Sequence, residues 1–254
     1  MAPLEIAGRR IEARWLHGEP ATRALVFLHH GLGSVATWRD FPARLAAAVG
    51  IPAFAYSRLG HGASDPASEK RGLDYVHSEA RDTLPRVFAA AGIGAPILVG
   101  HSDGGTIALI HAAEPGSAVS GVIAEAPHIF VEERTVEGIR AARREFAEGG
   151  MLAALERHHG DKAEALFRAW ADTWLDPAFR NWNCEDCLPA IRCPVQLIQG
   201  IDDAYGTARQ IERIRAAVSA RAELHLIAQC GHDPHREKAD DVLALMAEFV
   251  RGLD

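Results

Sequence analysis

The chain has 254 residues, 48% of them hydrophobic, which is enough to bury a substantial core in one large domain or a domain with an insertion. Its formal net charge of −7 comes from 34 acidic and 27 basic residues spread along the chain, so no basic stripe invites nucleic acid or an anionic membrane. No apolar run reaches transmembrane length and the start Met1-Ala2-Pro3-Leu4-Glu5 lacks the regions of a signal peptide; a cytoplasmic protein with a small-molecule partner is expected, with a homodimer left open.

From Leu4 to Leu16, the residues Ile6, Gly8, Ile11, Ala13 and Trp15 alternate with polar ones, which predicts a hairpin or an edge strand. Ala24 to Leu28 is an apolar run suited to a strand buried on both faces, and it opens into His29-His30-Gly31-Leu32-Gly33-Ser34. Two readings fit that loop. Gly31 and Gly33 can fold the backbone so that the Leu32 N–H points into a cleft as half of an oxyanion hole. Alternatively, Gly31 to Ala36 spells the G-x-G-x-x-A of a dinucleotide site. The next strand, Ile51 to Tyr56, ends in Ser57-Arg58 instead of the acidic residue that would hold a ribose, so only an NADP version survives.

A helix is expected from Trp38 to Val49, with Phe41, Leu45, Ala48 and Val49 on one face. In the turn-rich loop from Ser57 to Pro66, Arg58 and His61 read as donors that fix the loop. Asp74 to Ala91 predicts a helix in which Pro85 marks a bend or a late start.

The run Ile97 to Val99 passes through Gly100-His101-Ser102-Asp103-Gly104 into a helical pattern, giving G-x-S-x-G between a strand and a helix. Glycines there allow a sharp turn that lifts the Ser102 hydroxyl clear of the sheet. The helix starting after Ser102 would aim free backbone N–H groups and a positive dipole end at an anion forming beside it.

Val119 to Ala126 predicts another buried strand, with Glu125 at its end. Strand and helix alternation then breaks, and residues 127–192 read as a helical cap inserted between core segments 1–126 and 193–254. Trp170, Trp174 and Trp182 in the cap are candidate substrate contacts, while Arg140, Arg143, Arg144, His158 and His159 read as a solvated face. Cys184, Cys187, Cys193 and Cys230 offer one isolated C-x-x-C without a second pair or local histidines, so free thiols are expected and no metal. Alternation resumes with the strand Pro194 to Gly200, the loop Ile201 to Gly206, a helix to Val218, the strand Ala222 to Ala228, the loop Gln229 to His235 and a final helix.

Repeated strand, turn and helix with short loops argues a doubly wound, mostly parallel sheet, in which chemistry gathers at the carboxyl ends of the strands. Four loops there carry reactive groups: His30-Gly31-Leu32, Ser102, Asp202-Asp203 and His232. The order Ser, Asp, His, with G-x-S-x-G and an H-G-x-G type loop, resembles the α/β-hydrolase fold family across essentially the whole chain, cap included. The resemblance implies Ser102 as nucleophile and His232 as general base, with His235 the weaker candidate. It implies Asp203 as the acid, ahead of Asp202 and of Glu125. Backbone N–H groups of Leu32 and Asp103 would form the oxyanion hole, with His30 beside the substrate. A carboxylate after the nucleophile departs from many relatives, and because like charges repel, the Asp103 side chain is expected to point away and be hydrogen-bonded, or to work on a nearby donor such as His30. A serine nucleophile speaks against the family's aspartate-based dehalogenase and epoxide hydrolase chemistry. The expected activity is cofactor-free cleavage of a small carboxylic ester, lactone or thioester. A carbon–carbon bond hydrolase, a perhydrolase and a non-catalytic ligand receptor on the same fold are the alternatives.

Overall fold

The computed structural model describes residues 3–67 and 71–253, so the Met1-Ala2 start lies outside the described residues. Leu4–Ile6 (β1) and Arg9–Ile11 (β2) pair with each other, and Ala13–His17 (β3) starts the main sheet. Arg23–Leu28 (β4), Phe41–Val49 (α1), Ala53–Tyr56 (β5), Tyr75–Ser78 (α2), Leu84–Ala91 (α3), Ala95–His101 (β6), Asp103–Ala113 (α4) and Gly121–Glu125 (β7) follow. Three helices come next: Glu133–Ala147 (α5), Leu152–His159 (α6) and Ala163–Leu175 (α7). The chain closes with Val195–Gly200 (β8), Ala208–Ala217 (α8), Ala222–Ile227 (β9), Pro234–Glu237 (α9) and Ala239–Arg251 (α10). The seven-stranded sheet runs β3-β5-β4-β6-β7-β8-β9, and only the edge strand β3 is antiparallel to its neighbour.

The apolar runs are strands because each face of the sheet is covered. Along β4 and β6, side chains alternate between two cores: Val26 and Leu98 face α3, α4 and α8, while Leu25, Phe27, Ile97 and Val99 face α1 and α10. Strand β6 is central, and everything from Pro96 to His101 is buried. That places its carboxyl end, and Ser102 after it, in the middle of the edge where the parallel strands finish.

One helix start differs from expectation, the other segment breaks near Pro85 as expected, and proline explains both. A helix begun at Trp38 would need the N–H that Pro42 lacks; Val35–Trp38 is instead a 3-10 turn, and α1 starts at Phe41 with Pro42 in its first turn. The segment Asp74 to Ala91 is divided into α2, a π turn at Glu79–Thr83 and α3, with Pro85 at the second position of α3.

Between β7 and β8, α5, α6 and α7 share an apolar cluster of their own, including Ile139, Leu155, Leu166, Phe167, Trp170 and Trp174, and Leu32 of the loop after β4 joins it. The last part of this stretch belongs elsewhere: Cys184, Leu188 and Ile191, around the 3-10 turn Glu185–Ala190, are buried in the main core with residues of α4 and α8. All four cysteines are free thiols, and the Cys187 thiol donates to the Cys184 carbonyl at 3.0 Å. No described helix is long and apolar enough to cross a membrane.

Candidate active site

Ser102 joins β6 to α4 with φ 55° and ψ −118°, a backbone region that a residue with a Cβ enters only when its surroundings force it. The surroundings are two close backbone approaches. A Cβ on Gly100 would lie 2.2 Å from the Gly104 carbonyl oxygen, and one on Gly104 would lie 1.9 Å from the Leu28 carbonyl oxygen at the end of β4. The glycines therefore let strand and helix touch, while the serine itself takes the strained conformation. The Ser102 N–H is fixed by the Glu125 carbonyl at 2.8 Å, and α4 presents the unbonded N–H groups of its first turn beside the hydroxyl.

The loops after β8 and β9 meet for the same kind of reason. A Cβ on Gly200 would stand 2.0 Å from the Gly231 carbonyl oxygen, and the Asp202 N–H reaches the Cys230 carbonyl at 2.9 Å. Asp203 is thereby fully buried against His232, whose Nδ1 lies 2.7 Å from Asp203 Oδ2. The carboxylate also accepts from Gln199 Nε2 at 2.6 Å and the Tyr205 N–H at 2.7 Å. Burial alone would raise its pKa, but the charge and hydrogen bond of His232, with the Tyr205 N–H, outweigh that and hold it below the usual carboxylate range. Burial pulls His232 down, and the Asp203 carboxylate more than reverses this, so the imidazole pKa is raised. With Asp203 ionised, Nδ1 carries the proton and Nε2 is the acceptor. The alternatives sort themselves by geometry: Asp202 is exposed, while His235 and Glu125 bind each other, Nδ1 to Oε2 at 2.8 Å, below the site.

Ser102, Asp103, His128, Tyr205 and His232 line one cavity of about 390 Å³ with His30, Gly31 and Leu32, and Trp170 and Trp174 close it from α7. Trp170 sits on the loop after β4 because Gly31 has no side chain; a Cβ there would meet its ring at 2.6 Å. The Trp174 indole N–H is buried without an acceptor, a free donor in the wall. Trp182 is a correction: it is not among the cavity's lining residues, and it stacks on Phe179 at 5.2 Å with His77 at 6.1 Å. The tryptophan ring there completes the packing of the 3-10 turn Pro177–Phe179 and meets no reacting group.

The Leu32 N–H donates weakly to His30 Nδ1, 3.3 Å away, and would have to turn from it to bind an oxyanion. The Asp103 carboxylate lies 3.5 Å from Arg58 Nη1. Arg58 in turn donates to the His30 carbonyl at 2.8 Å, and His61 Nε2 lies 3.1 Å from the Gly31 carbonyl. His159 corrects the expectation of a solvated residue, since it is 1% exposed. Its Nδ1 accepts from the Gly62 N–H at 2.9 Å, so its Nε2–H donates to the Leu32 carbonyl at 3.0 Å and ties α6 to the loop.

One described group could hold a metal ion: His30, His101 and Asp233 offer atoms within 4.8 Å of one another. His101 Nε2–H donates to the His232 carbonyl at 2.7 Å, leaving its buried Nδ1 bare. His30 uses Nδ1 as an acceptor, so in the neutral ring Nε2 carries a proton and opposes a metal ligand's role. The dinucleotide reading is left without its helix, because the glycine loop enters the 3-10 turn Val35–Trp38. Motifs did not signal His128, Tyr205, Thr135, Ile139 or Met151, which reach the cavity from several parts of the chain, Thr135 and Ile139 both from α5.

Among relatives, the 2-succinyl-6-hydroxy-2,4-cyclohexadiene-1-carboxylate synthase of Escherichia coli O157:H7 (strain EC4115 / EHEC) is 25% identical over 279 residues, covering 95% of this chain and 99% of that one. The protein of the same name from Enterobacter sp. (strain 638) is 29% identical over 259 residues, 92% and 94% of the two chains. In structure, the enol-lactonase from Burkholderia xenovorans LB400 superposes with a TM-score of 0.74 at 17% identity, covering 98% of this chain and 99% of that one. An esterase from Rhodococcus sp. ECU1013 does so with a TM-score of 0.73 at 23% identity, over 100% and 99%. The sequence model of the alpha/beta hydrolase family matches residues 25–245, the span that holds the sharp turn, or elbow, at Ser102, the parallel strands and both loops that meet beyond them. The chain belongs to the α/β-hydrolase family.

Proposed function

We propose that the protein is a serine hydrolase that cleaves a small carboxylic ester, lactone or thioester through an acyl-enzyme. The observation that carries this is the strained Ser102 sharing one cavity with a His232 imidazole whose Nδ1 is held 2.7 Å from Asp203. In the proposed cycle His232 Nε2 takes the Ser102 proton as the hydroxyl oxygen adds to the substrate carbonyl. The oxyanion is met by the backbone N–H groups of Asp103 and Leu32, and collapse expels the leaving group with the proton from His232. A water, deprotonated by His232, then adds to the acyl carbon, and Ser102 leaves with the proton restored. Asp203 holds the imidazolium without taking its proton. The helices α5, α6 and α7 serve as the cap, with His30, Trp170 and Trp174 beside the substrate. No cofactor enters these steps.

Reaction with a fluorophosphonate, lost in Ser102→Ala, tests the nucleophile. A 4-nitrophenyl ester series from acetyl to decanoyl, with Ser102→Ala and His232→Ala, tests turnover. Failure of intact protein to label would refute the hydrolase. A second reading draws on the relatives named as synthases at 25% and 29% identity over nearly the whole chain: Ser102 would act as a base on a carbon acid, with no acyl-enzyme. A burst of 4-nitrophenol and a mass increase on Ser102 support the hydrolase and exclude that alternative for the ester substrate.

A further inference from the structure

Three arginines from separate parts of the chain line the Ser102 cavity at its exposed rim. Arg39 follows the turn Val35–Trp38, Arg157 lies near the end of α6, and Arg236 is in α9. Convergence of like charges raises their energy unless an anion lies among them. Carboxylates are plentiful in this chain, with 34 acidic residues, yet among the described residues Arg39 and Arg157 have no ion-pair partner. Arg236 has Asp233 only at 4.0 Å. His158 lines the same rim, and its pKa is pushed down by burial and then by Arg157, Arg236 and Arg39, so all three cations act on one point.

Arg39 is also held there against its own backbone preference, with φ 53° and ψ −128°. A glycine would satisfy that turn without strain, so the arginine side chain needs a separate reason. Beneath the rim the cavity turns apolar, with Leu32, Ile139, Leu155, Trp170 and Trp174 all buried. Such a site suits a molecule with an apolar middle and one anionic end.

We propose that the arginine rim binds a carboxylate or phosphate carried by the substrate at the end remote from the scissile carbonyl. This rests on Ser102 as the hydrolytic nucleophile and adds the substrate class: the half-ester of a dicarboxylic acid, or a thioester with a phosphate-bearing leaving group. Planar guanidinium groups match both oxyanions with paired N–H donors.

Titration calorimetry on Ser102→Ala with monomethyl glutarate, butyryl-coenzyme A and methyl butyrate tests the rim without turnover. At least one anionic ligand should bind about tenfold or more tightly than methyl butyrate, a preference expected of charged hydrogen bonds. Added salt should erode it. Adding Arg157→Gln or Arg236→Gln to this protein should each weaken the anionic ligand about fivefold or more. Preference for the glutarate ester identifies a carboxylate, and preference for the coenzyme A thioester identifies phosphate. Equal binding of all three, binding of none, or no loss in the arginine variants overturns the proposal. Fluorophosphonate labelling of the Ser102 protein keeps the two claims apart: labelling without anion preference overturns the rim alone, and anion preference without labelling overturns the hydrolase alone.

Discussion

Replacing Asp203 with Asn separates the charge of this residue from its shape. The wild-type carboxylate accepts three hydrogen bonds, two on Oδ2 from His232 and Gln199 and one on Oδ1 from the Tyr205 N–H. In Asp203→Asn, keeping the carbonyl toward Tyr205 turns the amide NH₂ toward His232 and Gln199. Gln199 can adapt by rotating, because its Oε1 is buried without a partner. His232 adapts only by moving its proton to Nε2, which removes the acceptor facing Ser102. A fall of about 10⁴-fold in kcat is expected from this tautomer change, with about 1–3 kcal/mol of stability lost as charged hydrogen bonds become neutral. The pH profile gives an independent sign. Asp203 raises the His232 pKa against burial, so wild-type kcat/KM should be lost as pH falls through a value above 6.5. Without the carboxylate, burial prevails and the residual activity should persist to lower pH. Stability follows the same linkage: the lowered Asp203 pKa stabilises the fold above about pH 4 and is lost on acidification through its folded value, while the raised His232 pKa stabilises below about pH 6.5 and is lost as pH rises through its folded value. Initial rates from pH 5 to 9 (about the range where histidine titrates) and urea denaturation check both. A variant within tenfold of wild type, or an equal loss in Glu125→Gln, would refute the assignment.

Ser102→Gly should abolish turnover yet raise stability by about 1 kcal/mol, since glycine accepts the elbow backbone that serine strains; the urea midpoint reads this. Gly104→Ala should leave little folded protein, because its Cβ would meet the Leu28 carbonyl oxygen at 1.9 Å and neither strand nor helix can retreat; expression with circular dichroism decides. Glu125→Ala leaves His235 buried without its carboxylate and should cost about 3–5 kcal/mol in denaturant titration, and an unchanged midpoint would show that the pair contributes nothing.

By itself the sequence determined the order and type of the main elements, because runs such as Ala24 to Leu28 and Ile97 to Val99 can be satisfied only by burial on both faces of a parallel sheet. It also brought Ser102, the Asp202-Asp203 loop and His232 to strand ends beside glycines whose role is local, Gly100 and Gly104 around the elbow, Gly200 before the aspartates and Gly231 before His232, while the choice of Asp203 over Asp202 rested on the family resemblance. What local pattern could not carry was distance between elements. Only the tertiary structure decided that Asp203 meets His232 while Glu125 meets His235, that Trp170 reaches the cavity while Trp182 packs away from it, and that His159 is a buried tie. The rim of Arg39, Arg157 and Arg236 was equally silent in the sequence. Each of those arginines is ordinary among its chain neighbours, and their charges act together only once the helices between β7 and β8 are folded over the sheet's carboxyl edge.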